Sequence, residues 1–392
     1  RKPHEEDHAD TFFRELRLEI DADKRQHFSS REIFRINTEE GVREFGVVHA
    51  PWSGWRQDRP KIRARVITAA GEVHELDPDT ASDTPAQRDD AQVFSDTRIL
   101  HAPLPAVDLG SIVEVEIVTR ESRPFFLAGS FHQLSFYSVD RLERLRVVID
   151  WPLATPVKFF PRGLDLQPKR TEADGRARVV YETGDLEPLD FRKFESQAPR
   201  GYYKLPSLFV TTGSNWQEIA RDYHAVVEKQ LKGFDAKTAI AGVPIKDKSR
   251  EEIAGLLMAR LQTMIRYTGL AFGESAIVPY RPDETLTRRY GDCKDQSTLL
   301  VAMLRAAGIE ARVALLSASS AGSLPEVPAL NQFNHAIVYL PGDPGIWIDP
   351  TARRLRLGEL PPSDQGQWAL VADPNSTELI RIPKTDAGAN RM

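Results

Sequence analysis

Apolar and polar residues alternate along much of the first half of the chain. Val113, Val115 and Ile117 alternate with Glu114 and Glu116, and successive side chains of a strand point to opposite faces of its sheet. The same two-residue period recurs in three further runs: Leu16, Leu18 and Ile20; Ile62, Ala64 and Val66; and Leu145, Val147 and Ile149. Turn residues separate these runs. The pattern predicts an antiparallel β-sandwich-like domain over residues 11–200.

The period changes to that of a helix beyond about residue 206. Apolar residues then recur at intervals of three and four. Three segments have this pattern, with apolar positions Ile219, Tyr223, Val226 and Val227; Ile253, Leu256, Leu257, Leu261 and Ile265; and Leu300, Met303, Leu304 and Ala307. A predicted strand at 311–316 and a predicted hairpin at 334–349 follow. We therefore expect an α+β fold whose second domain spans residues 206–385.

The length of 392 residues is long for a single hydrophobic core and also indicates two domains. Residues 1–10 are mostly charged and polar, which predicts a flexible tail. No apolar run reaches the roughly 18 residues that a membrane-spanning helix requires, so we expect no transmembrane segment in this chain. The oligomeric state cannot be inferred from the sequence.

Charge and motifs exclude several classes of function. The net charge is −5 with a pI near 6.1, and basic residues are interspersed with acidic ones, so nucleic acid is not an expected partner. The chain contains no glycine-rich dinucleotide or nucleotide loop, no H-E-x-x-H zinc motif and no G-x-S-x-G serine-hydrolase motif. We accordingly predict no cofactor and no metal site.

The chain has a single cysteine, Cys293, which follows Gly-Asp and begins the third predicted helix. Asp292 is placed to cap that helix, and Gly308 is placed to end it. A thiol reacts as its thiolate, which the N-terminus of a helix stabilises. An isolated free cysteine is more often inert packing in a core, but this one lies at a turn rather than on the apolar face of an element. It is therefore a candidate nucleophile.

A nucleophilic cysteine needs a base, and the base needs an acceptor that orients it. His335 is the only histidine that follows Cys293, and it begins the first strand of the predicted hairpin. If Leu340 pairs with Ile346, Asp349 becomes the diagonal neighbour of His335 on the same face of the sheet. A carboxylate there would fix the tautomer of the imidazole. A shift of one residue in register would place Asp349 on the opposite face.

Each of the three residues also has an ordinary structural interpretation. Singly, His335 would be a satisfied histidine on a half-buried strand, and Asp349 would be a strand-end residue before Pro350. Their joint occurrence favours a Cys293–His335–Asp349 catalytic triad. Tyr290 and Asn334, which lie close to the triad in sequence, are candidates for lining a substrate cleft; for Tyr290, packing in the core is an equal alternative.

At these residues the chain resembles the transglutaminase-like superfamily, whose core is papain-like. The segment that resembles the family's nucleophile region is RPDETLTRRYGDCKDQSTLLVAMLRAAGIEARVAL, and the histidine and aspartate regions are matched by FNHAIVYL and WIDPTA. The family's cysteine, histidine and aspartate fall on Cys293, His335 and Asp349. Nearly the whole chain resembles a bacterial architecture in which a β-rich N-terminal domain of unknown function precedes a transglutaminase core.

The resemblance implies thiol-dependent chemistry on protein or peptide amides through a thioester intermediate. It leaves open whether the second nucleophile is water, as in a cysteine protease or amidase, or an amine, as in a transglutaminase. A non-catalytic protein- or peptide-binding module on the same scaffold is the alternative. Members of the resembled group are often exported, so the resemblance implies a periplasmic or otherwise exported protein, with a cytoplasmic location as the alternative. The N-terminal segment RKPHEEDHAD contains no apolar leader region.

Overall fold

The computed structural model describes residues 8–86, 93–189, 205–319, 322–353 and 355–384. Contacts divide the chain into two compact units: Arg1–Gln87, Asp96–Leu127 and His132–Thr212 form the first, and Arg88–Ser95, Ala128–Phe131 and Gly213–Met392 form the second. No helix in the described part of the chain is long and apolar enough to cross a membrane.

The first unit is built mainly from strands. They are β1 (Ala9–Ile20), β2 (Gln26–Ile36), β3 (Val47–Ser53), β4 (Lys61–Ile67), β5 (Val73–Glu75), β6 (Ser82–Pro85), β8 (Thr97–Pro103), β9 (Ile112–Arg120), β10 (Phe131–Ser135), β11 (Leu142–Pro152), β12 (Lys158–Arg162), β13 (Lys169–Ala173), β14 (Arg176–Leu186) and β15 (Ser207–Thr211). Helix α1 (Glu39–Phe45) and a 3₁₀ turn (Pro78–Thr80) connect some of them. An eight-stranded sheet has the order β13-β14-β11-β1-β2-β9-β4-β5, and two three-stranded sheets have the orders β10-β15-β12 and β3-β8-β6.

The large sheet packs against each of the smaller sheets through a separate hydrophobic cluster. One cluster joins Leu18 and Val147 of the large sheet to Leu208 and Val210 of β15. The other joins Val66 and the neighbouring strands of the large sheet to residues of β3 and β8. The alternating residues seen in the sequence supply both clusters, so the two-residue period does mark the buried face of the sheet.

Two details of the first unit differ from the expectation. Residues 1–7 of the predicted tail lie outside the described residues, but Ala9 is buried in β1 and Asp10 pairs with Arg35 at 2.7 Å. In addition, β1 and β11 pair in parallel, whereas an antiparallel domain was expected. These strands are far apart in the chain, so no hairpin turn fixes their relative direction.

The second unit combines helices with a five-stranded sheet. Its helices are α2 (Trp216–Leu231), α3 (Lys237–Ile240), α4 (Arg250–Met264), α5 (Pro282–Arg288) and α6 (Cys293–Ala306), with 3₁₀ turns at Gly273–Ala276 and Leu330–Gln332. Its strands are β7 (Val93–Ser95), β16 (Arg266–Tyr267), β17 (Gly269–Ala271), β18 (Tyr290–Gly291), β19 (Arg312–Leu316), β20 (His335–Leu340), β21 (Ile346–Ile348), β22 (Trp368–Val371) and β23 (Ile380–Arg381). The sheet order is β21-β20-β19-β22-β23, and the pairs β7–β17 and β16–β18 are separate.

Helix α6 lies against β20 and α4 and is almost wholly buried from Lys294 to Leu304. A helix this enclosed has little freedom to shift. Its N-terminus and the start of β20 are therefore held in place by the core of the second unit.

Candidate active site

Cys293 is the first residue of α6, as the sequence predicts, and it is only partly exposed. The Asp292 side chain caps the helix by accepting the N–H groups of Lys294 at 3.1 Å and Asp295 at 3.3 Å. The Asp295 side chain in turn accepts the N–H of Asp292 at 3.1 Å. This reciprocal capping box fixes the entry of the chain into the helix. It does not use the N–H of Cys293, which remains at the positive end of the helix.

Charged groups are buried directly behind the cysteine. Lys294 forms an ion pair with Asp292, and both residues are more than 90% buried. Burial, together with the charge of Asp292, raises the pKa of Asp295 to about 6, and the Lys294 ammonium offsets part of that rise. The Tyr280 N–H also donates to Asp295 at 2.8 Å. The burial of a lysine beside a capping aspartate was not predicted from the sequence.

Gly291 allows this cap to be compact. A Cβ on Gly291 would lie 2.7 Å from the Cβ of Asp295 and 3.1 Å from the Cγ2 of Thr285. Any larger residue would push the capping carboxylate away. Gly291 is therefore required because Asp295 and Thr285 approach its backbone closely, and not because a turn needs a glycine.

The predicted hairpin register is confirmed. Leu340 pairs with Ile346 and Val338 pairs with Ile348. Asp349, which directly follows β21, therefore lies beside His335 at the start of β20. The Nε2 atom of His335 lies 3.2 Å from Oδ2 of Asp349. The His335 side chain is 15% exposed and that of Asp349 only 3%, so the contact is shielded from water.

The imidazole also lies close enough to Cys293 for the sulfur to raise the pKa of the ring. Because Nε2 faces Asp349, Nδ1 is the ring atom left for the sulfur. Burial alone would lower the pKa of His335, but the hydrogen bonds and negative charge of Asp349 and Cys293 outweigh it and raise this pKa well above the usual value. The ring is thus held as an imidazolium between sulfur and carboxylate. The structure brings the three predicted residues together in one place.

Asp349 is fixed on its other side by Thr351. The Thr351 N–H and hydroxyl donate to Oδ1 at 2.8 Å and 2.7 Å. Burial favours the neutral form of Asp349, but the hydrogen bonds from His335 and Thr351 and the charge of the ring lower its pKa below the usual value. Asp349 is therefore a carboxylate with both oxygens engaged. The sequence W-I-D-P-T contains the threonine, but its role is visible only once both partners are placed.

A direct link between helix and strand sets the spacing of sulfur and ring. Ser297, one turn beyond Cys293, is fully buried, and its hydroxyl donates to the carbonyl of Ala336 at 3.0 Å. Ala336 directly follows His335. The loop after Asp349 is likewise held, because Gln262 of α4 donates to the carbonyls of Pro350 at 3.2 Å and Ala352 at 3.3 Å.

Tyr290 and Asn334, predicted as cleft residues, lie near the triad in the chain. Tyr290 is partly exposed and belongs to β18, where it pairs with Arg266. Asn334 is exposed, but its side chain accepts the N–H of Ala318 at 2.8 Å. That bond holds the chain that leaves β19, so Asn334 has a structural contact independent of any substrate.

A second buried carboxylate lies beside the triad and was not predicted. Asp364 is 1% exposed, and its Oδ2 lies 3.9 Å from Nε2 of His335. Ligand-type atoms of His335, Asp349 and Asp364 all lie within 4.8 Å of one another, a spacing that a metal ion would also require. We do not assign them as ligands, because both nitrogens of His335 are already engaged, one by Asp349 and one by the thiol.

Two family models match this chain. Residues 244–349 match the model of the transglutaminase-like superfamily. Residues 22–190 match the model of DUF3857, a domain of unknown function with a solved structure. No curated protein is similar enough in sequence to count as a match.

One of the similar solved structures has the same fold, and two others resemble this chain only weakly. A protein from Parabacteroides distasonis, described as a putative protease, superposes with a TM-score of 0.72 at 15% identity, over 96% of this chain and 72% of its own. An M1 zinc metallopeptidase from Deinococcus radiodurans reaches a TM-score of only 0.26 at 11% identity, over 52% and 42% of the two chains. Leukotriene A4 hydrolase from Saccharomyces cerevisiae reaches 0.27 at 11% identity, over 58% and 36%.

Fold and site together define an α+β protein in which a β-rich N-terminal domain precedes a papain-like core. More specifically, the chain joins a region that matches the DUF3857 model, residues 22–190, to a core that matches the transglutaminase-like superfamily model over residues 244–349.

Proposed function

We propose that the protein is a cysteine enzyme that cleaves or transfers acyl groups at amide bonds of proteins or peptides. The observation that carries the proposal is the position of Cys293 at a helix N-terminus beside His335, whose Nε2 atom meets the buried carboxylate of Asp349. Membership in the transglutaminase-like superfamily supports thiol-dependent chemistry. The description of the Parabacteroides distasonis protein as a protease supports a peptide substrate.

The first half-reaction forms a thioester. The Cys293 thiolate attacks the amide carbonyl, and the resulting oxyanion receives a hydrogen bond from the Cys293 N–H at the positive end of α6. The C–N bond then breaks, and the His335 imidazolium gives its proton to the leaving amine. Asp349 holds the ring so that one nitrogen faces the sulfur throughout. The amine departs, and the acyl group remains on sulfur.

The second half-reaction releases the acyl group. The neutral imidazole removes a proton from water or from a primary amine, which attacks the thioester carbonyl. The C–S bond breaks, and the thiolate is restored beside the imidazolium. Water yields a carboxylic acid, so the enzyme would be a protease or amidase. An amine yields a new amide, so it would be a transglutaminase. The exclusion of water from the acyl-enzyme decides between the two.

The experiment that tests the proposal incubates a peptide library with the protein and a primary amine and follows products by mass spectrometry. Cleavage or a deamidation shift identifies a hydrolase, and an amine-dependent mass gain identifies a transferase. Cys293→Ala must abolish either product. Glu378→Gln, which removes an exposed carboxylate elsewhere in the same unit, is the matched control and should leave the yield unchanged.

Thiol reactivity separates an enzyme from a binding module on the same scaffold. The chain has one cysteine, so every iodoacetamide adduct on a thiol reports Cys293. An enzyme should be alkylated much faster than free cysteine near neutral pH, and His335→Ala should remove that advantage. Alkylation at the rate of free cysteine, unaffected by His335→Ala, would favour the binding module.

A further inference from the structure

Asp364 is a buried carboxylate that the proposed mechanism does not use. It lies in the turn before β22, where its Oδ1 accepts the Ser363 hydroxyl at 2.9 Å. Its Oδ2 is buried and receives no hydrogen bond from a conventional donor among the described residues. The same oxygen faces His335 Nε2 at 3.9 Å. A charged oxygen in this position would be costly, because burial penalises an anion that lacks a donor.

Asp349 can form the missing hydrogen bond with Oδ2 of Asp364 if one of the two carboxyl groups is protonated. Asp364 and Asp349 are within hydrogen-bonding reach of each other, and two carboxyls can bond only when one of them carries a proton. The pKa of Asp364 is raised to about 6, mainly by burial; the charge of His335 opposes this rise, and the charge of Asp349 adds to it. Two adjacent carboxyls that face one cation titrate as a pair rather than singly.

We propose that Asp364 is a positioning residue that shares a proton with Asp349 and so keeps the Asp349 carboxylate directed at His335. The inference rests on the proposed function, since it concerns the same triad. Asp349 then has three partners, namely the ring, Thr351 and Asp364, and none of them requires water. Asp364 touches neither the thiol nor the reacting carbonyl, so it acts through Asp349.

The shared proton makes the ring sensitive to pH. Among the described residues, the titratable groups that face the pair are His335 and, beyond the ring, Cys293. The other hydrogen bonds to the pair come from the Ser363 hydroxyl and from the Thr351 hydroxyl and N–H. When the pair loses its proton, the imidazolium faces two negative charges instead of one and is stabilised. The thiolate beside it is then more populated. Reactivity of Cys293 should therefore rise in a step as the pH passes the value at which the pair titrates.

The test measures the rate of iodoacetamide alkylation against pH for the full chain, its Asp364→Asn and Asp364→Ala variants, and the Glu378→Gln control. Wild type and control should show a step near pH 6, and both Asp364 variants should lack it. On the acid side, Asp364→Asn should match wild type within about twofold, because its carboxamide N–H replaces the shared proton. Asp364→Ala should be about tenfold slower than wild type on the acid side, where the wild-type pair shares its proton, because one hydrogen bond to Asp349 is lost.

Each result has a defined meaning. If wild type is reactive and depends on His335 but both Asp364 variants keep its pH profile, the inference is wrong and the proposed function stands. If wild type reacts like free cysteine, the proposed function itself fails. If a chelator changes the wild-type profile and Zn²⁺ restores it, the group holds a cation and no proton is shared. Should Asp364→Ala not fold, a step near pH 6 in the isosteric Asp364→Asn is enough to overturn the inference.

Discussion

The two units each enclose a histidine, and the two rings behave in opposite ways. His132 of the first unit stacks on Phe28 with ring centroids 4.6 Å apart. Burial and the charge of Arg56 lower its pKa to about 4, so the ring is neutral. His335 of the second unit is also buried, yet its pKa is raised. Burial lowers both pKa values, and for His335 the neighbouring Asp349 and Cys293 reverse the direction.

The first unit also contains a buried carboxylate, that of Glu121, but this group is paired with the arginine whose charge acts on His132. Glu121 accepts the N–H of Gln26 at 2.7 Å and forms an ion pair with Arg56. Its charge is therefore used within the sheet, and His132 faces the guanidinium instead. The comparison teaches that the pKa of a buried histidine depends on whether a carboxylate is free to pair with the ring, and not on how deeply the ring is buried. The following predictions test this difference, from the largest expected effect to the smallest.

Loss of the ring in the second unit should have the largest effect. His335→Ala removes the proton donor and the cation that stabilises the thiolate, so turnover on any substrate found should fall by at least about 10³-fold. His132→Ala should leave turnover within about twofold when it is measured under conditions in which the variant is folded. Steady-state kinetics of both variants check this. Equal losses in the two would show that the rings are not functionally distinct.

Removal of the Asp349 charge should lower the pKa of His335, as the pKa of His132 is already lowered. In Asp349→Asn the pKa of His335 should fall, because its largest favourable contribution is lost while burial remains. The alkaline limit of thiolate–imidazolium reactivity should move to lower pH, and turnover should drop by roughly 10²–10⁴-fold. The pH profile of alkylation measures the shift. An unchanged alkaline limit would contradict the assignment of Asp349 as the orienting residue.

Loosening Asp349 should have a smaller effect. Thr351→Val keeps the backbone N–H bond to Oδ1 but removes the hydroxyl bond of 2.7 Å. The loss of one hydrogen bond to a charged group corresponds to roughly a tenfold fall in turnover. Thr351→Ser restores the hydroxyl and should recover most of it. Failure of serine to rescue would assign the effect to the methyl group and its packing.

The smallest expected effect is on the pH dependence of folding stability, which should differ in sign between the two histidines. The folded-state pKa of His132 is below its unfolded value of 6.5, so its contribution is present above pH 6.5 and is lost as the pH falls towards about 4. His335 has the opposite sign: its contribution is present below pH 6.5 and is lost as the pH rises through the raised folded-state value. Thermal unfolding of His132→Gln should show a flatter acid limb than that of wild type. A limb as steep as before would mean that other groups dominate acid unfolding.

The sequence was sufficient for the features that follow from local rules. The cap at Asp292 and the helix start at Cys293 follow from residue type and spacing, and the hairpin register follows from the apolar run that ends at Leu340. These features depend on neighbours within a few residues. The transglutaminase-like core and the β-rich domain before it were also confirmed.

The missed features depend on residues that meet only after folding. Asp364 lies 15 positions after Asp349, in a turn with no recognisable motif, and only the sheet order β20-β19-β22 brings it to His335. The parallel pairing of β1 with β11 is a similar case, because alternation reports which face is buried but not the direction of a distant neighbour. The burial of Lys294 follows from the packing of α6 and could not be inferred from its charge.

The bond between Ser297 and the backbone of Ala336 has a consequence for how such a protein can change. Since helix and strand are fastened to each other inside the core, the chain that connects β19 to β20 does not have to set the spacing of the reacting atoms. Several side chains of that stretch are themselves buried, among them Leu324, Val327 and Leu330, so we expect changes that preserve the chemistry at its exposed positions, such as Glu326. Evolution, or a protein engineer, is therefore free to explore new substrates there without rebuilding the catalytic apparatus.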